Sequence, residues 1–165
     1  MKVLVIYGTR SGSTAEIAEA IGATIRTCEH NADIHNVRSK PIVLGYDAVI
    51  LASPVRMGTW LPEMLTFIRD NQAQLAILPV YVVSIHLLNT DDNDTHTANR
   101  QQYIAPVLSL LPHATPVFFK GAINFSRLSW IERCISKLAG ANEQDQRNWD
   151  SIQSWTKSIV QGGNI

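Results

Sequence analysis

A doubly wound α/β fold is predicted, with a five-stranded parallel sheet in the order 2-1-3-4-5 and helices on both faces. Two observations predict it. Apolar, β-branched runs alternate with helical patterns along the whole 165-residue chain. Several of those runs are continuous rather than alternating, which marks strands buried on both faces. Strands separated by helices connect by right-handed crossovers, so neighbouring strands run parallel.

The elements follow in order. Val3–Tyr7 is a continuous aliphatic run and reads as the first strand. Residues 14–28 read as a helix, because Ile17, Ala18, Ile21 and Ile25 share one face. A short second strand is expected around Asp33–Val37, and Asp47–Ala52 is a buried third. Leu61, Met64, Leu65 and Ile68 are spaced i, i+3, i+4, i+7, so a helix begins near Leu61, with Pro62 tolerated in its first turn. Val80–Ile85 is the fourth strand. A polar loop, Asn89–Thr97, leads to a helix over Ala98–Leu111, and Pro116–Ala122 is the fifth strand. Helical segments near Leu128–Leu138 and Arg147–Val160 complete the pattern, and Gln161–Asn164 is expected to fray.

Composition narrows the function classes. The chain is 45% hydrophobic and 17% charged, which argues against disorder, and its length fits one domain over residues 1–165. Lys+Arg and Asp+Glu are both 14, so the net charge is zero. A general nucleic-acid binder carries a basic face, and none is indicated here. Cys28 and Cys134 are the only cysteines and form no C-x-x-C, so neither a disulfide framework nor a cysteine zinc site is expected. A reducing, cytoplasmic compartment is the expectation. The opening apolar run is too short for a signal peptide, and no stretch approaches the roughly 18 apolar residues of a membrane span.

In a sheet of this order, ligands bind beyond the carboxyl ends of the strands where the order reverses, between the first and third strands. The loops to search are therefore Gly8–Ser13, Ser53–Trp60 and Ser84–Thr97. The first reads Tyr7-Gly8-Thr9-Arg10-Ser11-Gly12-Ser13-Thr14 and runs into a helix. A helix amino end presents free N–H groups and a partial positive charge. Hydroxyls at 9, 11, 13 and 14 can donate to phosphate oxygens, and Gly12 lets the backbone approach closely. No lysine follows the glycine, so this is not the loop of nucleoside triphosphatases. Nor is it G-x-G-x-x-G, so one monophosphate is favoured over a dinucleotide. A Ser/Thr-rich turn that only caps the helix is the competing reading.

Thr9–Thr14 is similar to the [ST]-x-[ST]-G-x-T loop of the flavodoxin family. The resemblance implies a flavodoxin-like fold and FMN as cofactor, with Thr9, Ser11, Gly12, Ser13 and Thr14 on its phosphate. Arg10 is the variable position; it either adds charge to the dianion or points to solvent, and solvent is the expectation. The second loop, Ser53-Pro54-Val55-Arg56-Met57-Gly58-Thr59-Trp60, lies where flavodoxins contact the flavin ring. Met57 and Trp60 can form a soft and a flat apolar wall for such a ring. The competing reading makes Trp60 the cover of the following helix and leaves Met57 merely exposed. By resemblance, the peptide of Gly58 hydrogen-bonds flavin N5 in its reduced forms. The third loop opens Ser84-Ile85-His86-Leu87-Leu88-Asn89 in place of the usual flavodoxin Gly-Asp, so no stacking aromatic carries over. Ser84 and His86 are its candidate cofactor contacts. No catalytic acid or base is assigned; His86 is the candidate. Asp91-Asp92-Asn93-Asp94 lacks the spacing of a calcium loop, and no metal is expected.

Along almost its full length the sequence resembles the menaquinone-dependent protoporphyrinogen dehydrogenases. The shared features are Gly8–Thr14, the block Tyr46–Gly58 with one extra residue between Ser53 and Arg56, and a long polar loop after the fourth strand. Lys120-Gly121-Ala122, followed by a helix with Arg127, Trp130 and Arg133, completes the set. The resemblance implies a quinone or protein redox partner, a porphyrinogen substrate and a place in haem biosynthesis. Segment 120–137 mixes Lys120, Arg127, Arg133 and Lys137 with Phe125, Leu128, Trp130 and Ile131. Such a mixture suits peripheral contact with an anionic bilayer or a quinone. It suits equally a helix packed on the sheet with solvated charges. Asp91, Asp92 and Asp94 make the third loop acidic where relatives are basic. The alternative function is a flavodoxin-type electron carrier, which a net charge of zero fits poorly because carriers dock through acidic surfaces. A phosphoacceptor module on the same fold is discounted, because Tyr7-Gly8-Thr9 and Ala52-Ser53 stand where it needs carboxylates.

Overall fold

The computed structural model describes residues 1–123 and 144–162. Its main sheet has five parallel strands: β1 (Lys2–Tyr7), β2 (Asn31–Asn36), β3 (Ala48–Pro54), β4 (Val80–His86) and β5 (Thr115–Lys120). Their order is β2-β1-β3-β4-β5, as the alternation of runs predicts. The helices are α1 (Ser13–Thr27), α2 (Pro62–Asp70), the short α3 (Gln72–Leu75), α4 (Asp94–Leu110) and α5 (Trp149–Gln161).

The inner strands β1, β3 and β4 each feed two cores because successive side chains point to opposite faces. Val3 and Val5 of β1 pack with Ile17, Ile21 and Ile25 of α1 and Ile152 and Val160 of α5. Leu4 and Ile6 pack on the other side, with Met64 and Ile68 of α2 and Ile104 and Val107 of α4. Ile17, Ile21 and Ile25 are fully buried. At about 1.5–3 kcal/mol per large apolar side chain, that stripe suffices to fix α1 on the sheet. Fixing α1 fixes its amino end, which is what positions the first loop.

The differences from expectation have local causes. The helix after β4 begins at Asp94 instead of Ala98, because the Asn93 side chain accepts from the amide of His96 at 2.8 Å and caps it early. Asp94 then lies in the first turn, where a carboxylate is favoured. The fifth strand ends at Lys120, not Ala122. Beyond Gly121, β6 (Ala122–Ile123) pairs antiparallel with β7 (Gln144–Asp145), a small second sheet that periodicity did not foretell. The helix expected near Leu128–Leu138, with Arg127, Trp130, Arg133 and Cys134, lies outside the described residues. Of segment 120–137, only 120–123 are described. No described helix is long and apolar enough to cross a membrane.

Candidate functional site

The carboxyl ends of β1, β3 and β4 place three loops side by side. Gly8 closes the first onto the sheet by donating its amide to Ala52 O at 2.9 Å. Gly12 then adopts φ 88°, a left-handed conformation that favours glycine, and starts α1 with no side-chain cap. Gly12 has no side chain to cap the first amides of α1, so these lack an N-cap acceptor at that position. Two loop hydroxyls are already oriented. Thr9 Oγ1 accepts from the Gly12 amide at 3.0 Å, and Ser13 Oγ accepts from the Ala122 amide at 2.9 Å. A hydroxyl that accepts a backbone N–H keeps its own proton to donate. Uncapped amides at a helix start, beside hydroxyl donors, make a cradle for an anion. Ser11 is partly exposed on the loop, whereas Ser13 and Thr14 are buried in the first turn of α1.

Arg10 does not point to solvent, contrary to expectation. Its guanidinium makes a two-armed ion pair with Glu63 in the first turn of α2, and Arg38 approaches the same carboxylate at 3.4 Å. The Arg10 hydrogen bonds outweigh the burial of Glu63 and hold its pKa at about 2. A carboxyl depressed in the folded state contributes stability that is complete above its usual value near 4.5 and is lost as pH falls through 2. The loop is thus tied to α2 throughout neutral and mildly acidic pH.

The second loop has two halves. Arg56 and Thr59 exchange backbone hydrogen bonds at 2.8 and 3.1 Å around a turn in which Met57 (φ 51°) and Gly58 (φ 77°) are both left-handed. Met57 is 96% exposed at its tip. Trp60 is a correction: its indole is 1% exposed and faces the core rather than forming a surface wall. The cause is a specific partner, since Trp60 Nε1 donates to Ser84 Oγ at 2.7 Å. Ser84 and Ser53 sit opposite each other on β4 and β3, and both are fully buried. Ser53 Oγ accepts from the Leu61 amide at 3.1 Å. These two serines anchor the entry to α2, so neither is available to a ligand in this arrangement. Pro54 and Val55 complete the strand end, with the Val55 amide donating to Ile85 O at 2.7 Å.

His86, the last residue of β4, is 5% exposed and stacks on Phe118 with ring centroids 5.8 Å apart. Its Nδ1 is buried without a hydrogen-bond partner. Burial, with Arg100 and Lys120 nearby, lowers its pKa from 6.5 to about 4, so it is neutral at pH 7. The unfolded chain therefore binds the proton first as pH falls, and stability drops between pH 6.5 and 4. Urea unfolding at pH 7 and 4.5 is expected to show that drop, with His86 supplying roughly 2–3 kcal/mol of it. His86→Phe, which keeps a ring on Phe118, is expected to remove that share; an equal drop in the variant sinks the assignment.

Sequence reasoning missed the residues that order the third loop. Arg100, 9% exposed, donates to the carbonyls of Asn89 and Asp91, both at 2.9 Å, and to the Asp92 carboxylate at 2.9 Å. The acidity read from Asp91, Asp92 and Asp94 is thus offset by a buried guanidinium. A signal did exist, because Arg100 heads the buried stripe Ile104, Val107, Leu111, and an arginine on such a stripe must find partners. Leu88, 72% exposed, joins Met57 as a second apolar side chain on these loops. A cleft of about 950 Å³ runs along β5, lined by His86, Arg100, Phe118, Lys120 and Trp149 among others. Among the described residues, no group of three or more His, Cys, Asp or Glu side chains could hold a metal.

A doubly wound sheet of this order, with an uncapped, hydroxyl-rich turn at its switch point, defines a flavodoxin-type architecture. The chain belongs to the flavodoxin domain family, which it matches over residues 4–149. Among curated proteins it is similar to the protoporphyrinogen IX dehydrogenase [quinone] of Escherichia coli K12. The two are 24% identical over 174 residues, covering 97% of this chain and 95% of that protein. Solved structures with the same fold include a flavodoxin from the Archaea (TM-score 0.62, 12% identity, 98% of each chain). Another is the Fusobacterium nucleatum flavodoxin bound to flavin mononucleotide (TM-score 0.60, 13% identity, 98% of each chain).

Proposed function

We propose that this chain is an FMN-dependent dehydrogenase, a single-domain protein of the cytoplasm that takes electrons from a reduced porphyrinogen-class substrate and passes them to a quinone. The observation that carries the FMN reading is the amino end of α1, uncapped at a left-handed Gly12 and flanked by oriented hydroxyls. These features fit a phosphate monoester. Thr9, Ser11, Gly12, Ser13 and Thr14 would hold the phosphate, and the turn Arg56–Thr59 with Met57 and Gly58 would lie against the ring. When bound, FMN supplies the redox step, and the protein binds and orients it. The Arg10–Glu63 pair holds the loop against α2, and Arg100 holds the third loop in place beside it.

The reaction is supported by likeness to the quinone-linked dehydrogenase over nearly the full length of both chains. The test is reconstitution with FMN, then anaerobic mixing with protoporphyrinogen and a menaquinone analogue. Bleaching of the flavin by the substrate and its return on adding the quinone are expected. If FMN binds but no bleaching occurs, the dehydrogenase reading fails and an electron carrier stands in its place.

A further inference from the structure

Tyr103 lies on α4, yet it touches both the turn after β3 and the loop after β4. Its hydroxyl accepts a hydrogen bond from Asn89 Nδ2 at 2.7 Å. Its ring edge lies 3.5 Å from where a Cβ on Gly58 would stand. Asn89 is held further by Asn99, which donates to its side-chain oxygen at 3.0 Å, and by Arg100 on its carbonyl. Met57 and Asn89 are costly positions, with positive φ at 51° and 58°, and Gly58 beside Met57 takes φ 77°, which glycine adopts freely. Non-glycine residues in that region persist only where their surroundings over-determine them, and such positions cluster at sites where backbone conformation is used.

We propose that Tyr103 is a positioning residue that locks the Arg56–Thr59 turn to the Asn89–Asp92 loop, so that a ligand engaging one loop is felt at the other. This rests on the reading of these loops as the ring site, but the lock itself is a property of the protein without ligand. The two contacts divide the labour. The hydroxyl restrains the loop through Asn89, and the ring flanks the Cα face of Gly58, where even a Cβ would find ordinary van der Waals contact. Restraint of the turn is assigned to that flanking ring, which the loop holds through its hydroxyl.

The test uses backbone amide relaxation of the ligand-free full chain, followed by FMN titration. In the native protein both segments are expected to give order parameters near 0.85, the rigid range. Tyr103→Phe keeps the ring and loses the hydroxyl; residues 88–91 are expected to fall below about 0.6 while residues 56–59 stay rigid. Tyr103→Leu removes both contacts, and both segments are expected to loosen. Asn89→Ala, which also loses the Asn99 bond and places alanine at φ 58°, should loosen residues 88–91 at least as much as Tyr103→Phe. In FMN binding, the effects of Asn89→Ala and Gly58→Ala together are expected to depart at least about threefold from their product, and to multiply simply once Tyr103 is Leu. Equal rigidity of residues 88–91 in Tyr103→Phe overturns the proposal, as does coupling that survives Tyr103→Leu. Should Tyr103→Leu not fold, Tyr103→Phe and Asn89→Ala decide it. Failure of the native protein to bind FMN removes the functional reading and leaves the relaxation result to judge the lock.

Discussion

Replacing Thr9, Ser11 and Ser13 together with alanine is expected to weaken FMN binding by on the order of a thousandfold. Three hydrogen bonds to a charged phosphate, at about 1.5 kcal/mol each, sum to about 4.5 kcal/mol. Riboflavin, which lacks the phosphate, separates this from damage to the loop. Its affinity is expected to be the same in the native and triple-alanine proteins. Ser13 also accepts from Ala122, so a structural loss there would appear with riboflavin too. Calorimetric titration with both ligands measures the two effects. Equal FMN affinity in the two proteins means that the amino end of α1 holds no phosphate, and the cofactor reading ends there.

The second large effect is on stability. Trp60→Ala is expected to cost about 4 kcal/mol, the usual range for a buried aromatic truncated in a core. Trp60 is 1% exposed, and its removal also leaves Ser84 Oγ buried without its indole partner. Thermal unfolding is expected to fall by roughly 8–16 °C for a chain of this size. A Trp60 that served as a wall for the flavin would instead leave the ligand-free protein as stable as before and lose FMN affinity. Melting of the ligand-free proteins distinguishes the two roles, and an unchanged melting temperature puts the indole back at the surface.

Much of the frame was legible because burial on both faces writes itself as continuous apolar runs. Val3–Tyr7 and Val80–Ile85 announce strands, and the Ile17–Ile21–Ile25 stripe announces α1. The turn proposed to hold the phosphate is legible for a different reason: helix start, glycine and hydroxyls are adjacent in sequence, so the geometry that joins them is local. The second loop was only half legible. Met57-Gly58 reads as a tight turn, but whether Trp60 faces the ring or the core depends on Ser84, 24 residues away. The third loop reads as acidic, and the guanidinium that pairs with part of that charge is not apparent there, since Arg100 comes from the helix that follows it.

Strand order, crossover helices and the turn that presents amides at the switch point follow from periodicity and from short-range backbone chemistry. The hydrogen-bond partners of the polar side chains follow instead from contacts between distant segments. Arg10 went to Glu63, Trp60 to Ser84, Arg100 to the third loop and Asn89 to Tyr103. Periodicity reports which face is dry, because apolar burial is non-directional. A hydrogen bond needs a partner at a given distance and angle, and that partner is supplied by distant residues brought alongside only when the sheet has formed.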